Sequence, residues 1–327
     1  MNRKNIALMA GGDSSERVIS LRSAKQVAEA MSADRYNIFM IEVEGRSWSY
    51  TSADGVSYQV DKNDFSLSID EQRIIFDYAL IIIHGTPGED GKLQGYLEMM
   101  GVPFSSGSMT SSVITFDKHT TKRTLRTTSI AMAKDQLLIR GCEVDGEAIV
   151  GQLGLPLFVK PNASGSSFGV SKVKRVEELA VAVEAAFSES DTVLIEEAIV
   201  GREVSCGVMI TPDGREFLLP VTEMVTKREF FDYEAKYSDG LCEEITPAHL
   251  DEDIVKKLNT SCLEAYRACR CRGVVRIDFI ITEAGEPYLI EINSIPGMSQ
   301  NSIIPQQVRA MGMEVGEFFD IVIESTL

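Results

Sequence analysis

The sequence predicts an α/β protein that opens with a small doubly wound parallel-sheet domain, and three observations carry that reading. Two strand, glycine-loop, helix units follow one another before residue 106. A glycine- and serine-rich loop then sits between two strands at 157–173, and a hairpin near the end sets two acids opposite one another. With 327 residues the chain has material for about two domains with buried cores.

In the first unit, the apolar run Ile6 to Ala10 stops at Gly11-Gly12-Asp13-Ser14-Ser15-Glu16. Val18, Leu21, Ala24, Ala28 and Met31 then recur at helical spacing. Such a turn offers backbone N–H groups to an anion, or is a plain tight turn with a serine cap. A dinucleotide site would want G-x-G-x-x-G, and here the glycines are adjacent with no third. Tyr36 to Val43 reads as a second strand, and 44–75 as polar and irregular, with the sole Trp at 48. In the second unit, the almost wholly apolar run Asp77 to Ile83 suits a parallel strand covered on both faces. It ends in His84-Gly85-Thr86-Pro87-Gly88-Glu89-Asp90-Gly91, before a helix with Leu93, Leu97 and Met100. Ligands of such sheets bind at the carboxyl ends of the strands, where both loops lie.

Further on, Asp117 caps a helix carrying Lys118, Lys122, Arg123 and Arg126. Leu157 to Pro161 is a strand delivering Lys160 into Asn162-Ala163-Ser164-Gly165-Ser166-Ser167-Phe168-Gly169, and Val170 to Val173 returns beside it. A flexible loop of this kind can fold over phosphate oxygens; the alternative is an ordinary hairpin tip. No Gly-Lys-Ser/Thr opens a helix, so it is not a P-loop. A lysine entering the loop, with acids further along, points to a nucleoside triphosphate. Lys160 is accordingly expected to serve nucleotide affinity rather than stability.

The hairpin runs from Val275 to Asn293 about the turn Thr282-Glu283-Ala284-Gly285-Glu286-Pro287. If its loop is Ala284-Gly285, Asp278 faces Glu291 and Arg276 faces Asn293, all on one face. Two adjacent carboxylates repel unless a cation lies between them, and Asp, Glu and Asn oxygens suit a hard one. Asp278, Glu291 and Asn293 are therefore candidate Mg²⁺ ligands with Arg276 beside them; the alternative is a solvent-facing polar stripe. The loop Asn293-Ser294-Ile295-Pro296-Gly297-Met298 leaves the strand where a ligand would lie.

Composition narrows the partners. There are 32 basic and 49 acidic residues, for a net charge of −17 and a pI near 4.7, which argues against nucleic acid and anionic membrane. The six cysteines show neither zinc spacing nor a disulfide framework, and no apolar run reaches a membrane span. A cytoplasmic protein is expected.

Taken in order, Lys160-Pro161 before the glycine loop, Ile195-Glu196-Glu197 before Gly201-Arg202-Glu203, Arg276-Ile277-Asp278, and Glu291-Ile292-Asn293 resemble the ATP-grasp ligases. More narrowly, the chain resembles the D-alanine–D-alanine ligases, from Gly11-Gly12-x-Ser14-x-Glu16 to Pro296-Gly297-Met298. The resemblance implies an ATP-grasp fold preceded by the doubly wound domain. Its parts would be a substrate-binding domain at 1–106, a central subdomain with the phosphate loop at 107–190, and a catalytic subdomain at 191–327 with a lid at 223–245. It further implies that Lys118 and Lys160 contact ATP phosphates under Ser166 and Ser167. Glu196, Glu197 and the backbone near Ile199 would hold adenine, and Glu203 the ribose. Asp278, Glu291 and Asn293 would bind two Mg²⁺ ions, with Mn²⁺ as a substitute. Arg276 and the Gly297 N–H would face the reacting carbonyl. Glu16 would take the ammonium of the first D-alanine and Ser302 the carboxylate of the second. Lys236 of the lid would reach phosphate, and Tyr237 would join Glu16 and Ser166 in a hydrogen-bonded trio. Asn162-Ala163-Ser164 departs from the charged or leucine-containing versions of relatives.

The implied chemistry joins two D-alanines at the expense of ATP through a D-alanyl phosphate, for peptidoglycan precursors. Homodimers are the family habit. The alternatives are a sister ligase that takes D-lactate or D-serine second, against which Glu234-Ala235-Lys236-Tyr237 speaks, and a non-catalytic nucleotide-binding relative.

Overall fold

The computed structural model describes residues 3–165, 168–226 and 242–327. At its start, β1 (Lys4–Gly11) lies parallel to both β2 (Tyr36–Glu44) and β7 (Tyr78–Ile81). Successive residues of β1 point to opposite faces, so one strand serves two cores. Ile6, Leu8 and Ala10 pack with Ala24 and Val27 of the helix Arg17–Ala30; Ala7 and Met9 pack with Leu93 and Leu97 of the helix Lys92–Met100. Helices on both faces make this the doubly wound sheet that the sequence predicts.

Residues 44–75 depart from expectation. They form an antiparallel meander of β3 (Ser47–Thr51), β4 (Ser57–Asp61), β5 (Ser66–Ile69) and β6 (Gln72–Ile75), which extends the sheet beyond β2. Each strand has only four or five residues and hides few side chains, so polar residues outnumber the apolar signal. What holds the meander down is aromatic packing: the Trp48 ring stands edge-on to Tyr96 at 5.0 Å and to Phe65 at 6.4 Å.

The second sheet is antiparallel, in the order β11-β10-β12-β9: β9 is Asp135–Ile139, β10 Leu157–Pro161, β11 Ser171–Val173 and β12 Thr192–Glu197. Helices Gly146–Leu153 and Leu179–Phe187 cover one face through Ile149, Leu179 and Val183. This sheet runs to Glu197, the end of β12, which pairs with both β10 and β9.

The third sheet has seven strands. Its path is β16-β15-β13-β17-β18-β8, with β14 beside β13. These are β8 (Ala131–Met132), β13 (Arg202–Ile210), β14 (Glu216–Leu218), β15 (Thr222–Thr226), β16 (Cys242–Ile245), β17 (Val275–Ile281) and β18 (Pro287–Asn293). Helix Glu252–Ala268 buries Leu258, Cys262 and Tyr266 in the same cluster as Ile277 and Phe279. The last helix, Val315–Thr326, returns to the first domain, where Tyr78 Oη meets Thr326 Oγ1 at 2.5 Å.

The β17–β18 hairpin reaches the expected pairing by a different route. Thr282 N–H donates to Glu286 O, closing a three-residue loop with Gly285 at φ 73°, one residue longer than predicted. A register shift between Asp278 and Phe279 then restores Asp278 opposite Glu291 and Arg276 opposite Asn293.

Candidate active site

The hairpin carries the densest polar group. Asp278 is buried at 6% exposure, and its two oxygens are crowded with donors. Ser205 Oγ donates to Oδ1 at 2.5 Å, and Arg276 Nε to the same oxygen at 2.9 Å. Arg276 Nη2 reaches Oδ2 at 2.8 Å, and Asn293 Nδ2 the same oxygen at 3.0 Å. Burial works against the Arg276 charge, but the Asp278 carboxylate, with Glu291 and Glu89 beyond it, holds its pKa above the usual arginine value. The expected partner of Arg276 was the reacting carbonyl; in the structure its fork rests on Asp278.

Next to the hairpin stands Lys118, at the start of the helix Lys118–Thr124, with Lys122 of that helix and Lys160 of β10 further on. Lys118 Nζ lies 3.5 Å from Glu291 Oε2 and donates to Ser164 O at 2.9 Å. The lysine expected at phosphate therefore touches a carboxylate expected at metal. Lys160 is buried and salt-bridged to Glu196, which a second lysine, Lys122, also grips. Burial alone would raise the Glu196 pKa, yet the charges of Lys160 and Lys122 bring it below the ordinary value. Lys160 thus holds a buried ion pair within the fold, whereas its sequence position suggested a part in nucleotide affinity rather than stability. Lys122 also donates to Ala133 O at 2.7 Å and lies 3.5 Å from Asp135. The sequence signal for Lys122 was its position one helical turn after Lys118.

Asn162 anchors the base of the glycine- and serine-rich loop. Its Nδ2 donates to Asp117 Oδ2 at 2.6 Å, its Oδ1 accepts from His119 N at 2.8 Å, and its O accepts from Lys118 N at 3.1 Å. One short side chain therefore fixes the loop to the capped start of the helix Lys118–Thr124.

The two glycine loops of the first domain close the site from the other side. Ser14 Oγ donates to His84 O at 2.7 Å, tying the loops together, and His84 Nδ1 meets Ile295 O at 3.1 Å. Glu16 sits where these loops meet the phosphate loop: a Cβ on Gly165 would lie 2.6 Å from Glu16 Oε2. The sequence reading passed over Glu89, which is buried and accepts from Gly85 N at 2.7 Å. Burial foremost, helped by Glu16 and Glu291 and opposed by that hydrogen bond, pushes its carboxyl up to about 8. Beyond Ile295, Gly297 packs against Ser302, whose Oγ lies 2.6 Å from Ser299 Oγ at the start of the helix Ile303–Ala310.

Glu197 is turned to Lys134, accepting from its backbone N at 2.8 Å. Ile199 follows β12 half-buried, and Glu203 lies in β13 opposite Ile280. Ser166, Ser167, Lys236 and Tyr237, with most of the lid at 223–245, fall outside the described residues. Among the described residues no group of three or more His, Cys, Asp or Glu gathers as a metal centre. Two carboxylates and an amide side by side do fit a hard cation, once Asn293 presents its oxygen in place of its nitrogen.

Fold and site together define an ATP-grasp ligase, with the acidic hairpin of the third sheet facing the lysines beside the second. Two family models match, described as D-ala D-ala ligase N-terminus over residues 5–107 and D-ala D-ala ligase C-terminus over 127–324. The chain belongs to the D-alanine–D-alanine ligase family. It is 45% identical to D-alanine–D-alanine ligase of Phocaeicola vulgatus, over 99% of each chain. It is 41% identical to that of Porphyromonas gingivalis, over 100% of this chain and 99% of the other. Among solved structures, the Bacillus anthracis ligase complexed with ATP matches with a TM-score of 0.80 at 31% identity, covering 100% and 97% of the chains. The VanG D-Ala:D-Ser ligase of Enterococcus faecalis matches with a TM-score of 0.87 at 28% identity, covering both chains fully. No helix among the described residues is long and apolar enough to cross a membrane.

Proposed function

We propose that the chain joins two D-alanines into D-alanyl-D-alanine for peptidoglycan precursors, spending ATP to make a D-alanyl phosphate on the way. The observation that carries this reading is the contact of Lys118 with Glu291, which brings a phosphate-binding lysine onto an acidic hairpin. A carboxylate and an amine do not condense directly, because oxide is a very poor leaving group; phosphate solves that. The first step brings two anions together, so positive charge must neutralise the transferring group. Lys118 and Lys160 supply part of it. Asp278, Glu291 and Asn293 would hold Mg²⁺, which when bound supplies the rest by screening the phosphate oxygens.

Glu16, at the junction of the two glycine loops, would hold the ammonium of the first D-alanine so that its carboxylate faces the γ-phosphate. Ser302, at the start of its helix, would hold the carboxylate of the second. Arg276 would leave Asp278 to meet the developing oxyanion, with the Gly297 N–H as the second donor. An acyl phosphate hydrolyses readily in water, which gives a closing lid its purpose.

The likeness to a D-Ala:D-Ser ligase supplies the second reading, in which D-serine is the acceptor. Identities of 41–45% to the D-alanine–D-alanine ligases against 28% to that structure favour D-alanine. The test is ADP release by the full chain with D-alanine, L-alanine, D-lactate and D-serine compared as second substrates. Fastest release with D-alanine is expected; faster turnover with D-serine or D-lactate at neutral pH would replace the reading.

A further inference from the structure

A line of buried side chains joins the metal hairpin to the helix that starts at Ser302. Ser205 is 1% exposed, and in the β13–β17 pairing it stands directly opposite Asp278. Its hydroxyl donates to Asp278 Oδ1 at 2.5 Å. On its other side β13 pairs with β15 from Glu203 to Ser205, which stands opposite Thr222, and with β14 from Val208 on. Gln307 meets the Ser205–Thr222 end of the β15 pairing from the helix Ile303–Ala310. Its Nε2 donates to Ser205 O at 2.9 Å and to Thr222 Oγ1 at 3.1 Å, and the side chain is completely buried. Gly207 permits the approach: a Cβ there would lie 2.6 Å from Gln307 Oε1 and 2.7 Å from Ile304 Cδ1.

A buried amide that donates to a buried carbonyl at the end of a strand pairing costs more to lose than a surface hydrogen bond, because the carbonyl it serves cannot turn to water. The hydroxyl of Ser205 has a directional consequence as well. Oδ1 accepts from Ser205 and Arg276, and Oδ2 from Arg276 and Asn293. Once Arg276 turns to the oxyanion and Asn293 presents its oxygen, Ser205 is the donor that stays, on Oδ1, and Oδ2 is the oxygen left for a cation.

We infer that Ser205 and Gln307 are positioning residues. Ser205 fixes which Asp278 oxygen faces the metal, and Gln307 holds Ser205 while fixing the helix that presents Ser302 to the second substrate. This rests on the reading of Asp278 as a metal ligand, and the experiment separates the two. Mn²⁺ affinity is titrated by electron paramagnetic resonance on the full chain with a non-hydrolysable ATP analogue, beside thermal melts and the KM for ATP and for the second D-alanine.

Ser205→Ala should weaken Mn²⁺ by about 10–100-fold with little change in melting temperature, while Ser205→Thr, which keeps the hydroxyl, stays within about threefold. Gln307→Met keeps length but loses the amide. It should weaken Mn²⁺ severalfold, raise the KM of the second D-alanine more than that of ATP, and add nothing to Ser205→Ala in the double variant. Parent-like Mn²⁺ affinity in Ser205→Ala, with Asp278→Asn impaired, overturns the inference alone. Parent-like affinity in Asp278→Asn overturns the metal reading beneath it. Additive losses in the double variant remove Gln307 from the line. Should Ser205→Ala not fold, Ser205→Cys asks the same question with a poor donor of similar size, and parent-like affinity there overturns the proposal.

Discussion

On the β17–β18 hairpin, Arg276, Glu291 and Asn293 come from one continuous stretch and stay partly open to solvent around a buried Asp278; around Glu196, Lys122 and Lys160 come from separate segments and are shut in, with Asp135 half-buried beside them. The hairpin gathers more acid than its one arginine neutralises and borrows Lys118 from a neighbouring element. Two lysines in the cluster clamp a single glutamate from opposite oxygens. An acidic group that draws one counter-charge, Lys118, from another element can exchange that lysine for a cation as ligand. A closed one serves as a wall, and removing a buried member leaves a charge without its partner.

The comparison is broken hardest at Glu196. Glu196→Gln leaves two buried ammonium groups facing an amide, and should cost about 3–5 kcal/mol by urea unfolding at neutral pH. Because the folded pKa of Glu196 lies below its unfolded value, the carboxylate's contribution is present above the unfolded value and fades as pH falls through the folded one. The deficit should therefore shrink in acid. A loss under about 1 kcal/mol would show that both lysines swing out to solvent.

Glu291→Gln should behave oppositely. Its side chain is 25% exposed, so stability should stay within about 0.5 kcal/mol. Turnover should fall by about 100-fold, close to 3 kcal/mol of transition-state stabilisation, most steeply at limiting Mg²⁺. Near-normal turnover there would remove Glu291 from the metal set. Lys160→Met tests the boundary between the two regions. It should cost about 2 kcal/mol and also raise the KM for ATP; a pure KM effect would return Lys160 to the affinity role that its sequence position suggested.

The same contrast explains how much could be read from sequence. β1, β7, their helices and the hairpin announce themselves through local periodicity, and the hairpin's acids through alternation alone. Even there the correct pairing of Asp278 with Glu291 needed two compensating features, a longer loop and a bulge, that no local pattern reveals. The strands of 44–75 were missed because their anchors, Phe65 and Tyr96 on Trp48, are distant in sequence. Lys122, Ser205, Gln307 and Glu89 share that obstacle. Lys122 stands out in its basic helix, but its role, like those of the other three, comes only from a partner brought in by the third dimension.

Glu89 offers the smallest and subtlest test, since it is an acid in neither region yet close enough to both Glu16 and Glu291 to be raised by them. With burial as the main cause, its carboxyl titrates near 8 in the folded chain against an ordinary value of 4.5. The unfolded chain releases this proton first as pH rises. The stability it contributes is therefore complete below the unfolded value and is lost as pH climbs through the folded one. Glu89→Gln keeps an oxygen for the Gly85 N–H but cannot ionise. Parent and variant should melt alike near pH 4.5, and the variant should become the more stable by about 1–2 kcal/mol toward pH 8, the gain being capped because the loop can open locally. Thermal melts of both proteins across that range, without nucleotide or metal, read the gap directly. Parallel curves would mean that Glu89 keeps its charge in the folded chain, held by Gly85 and by water that reaches the loop.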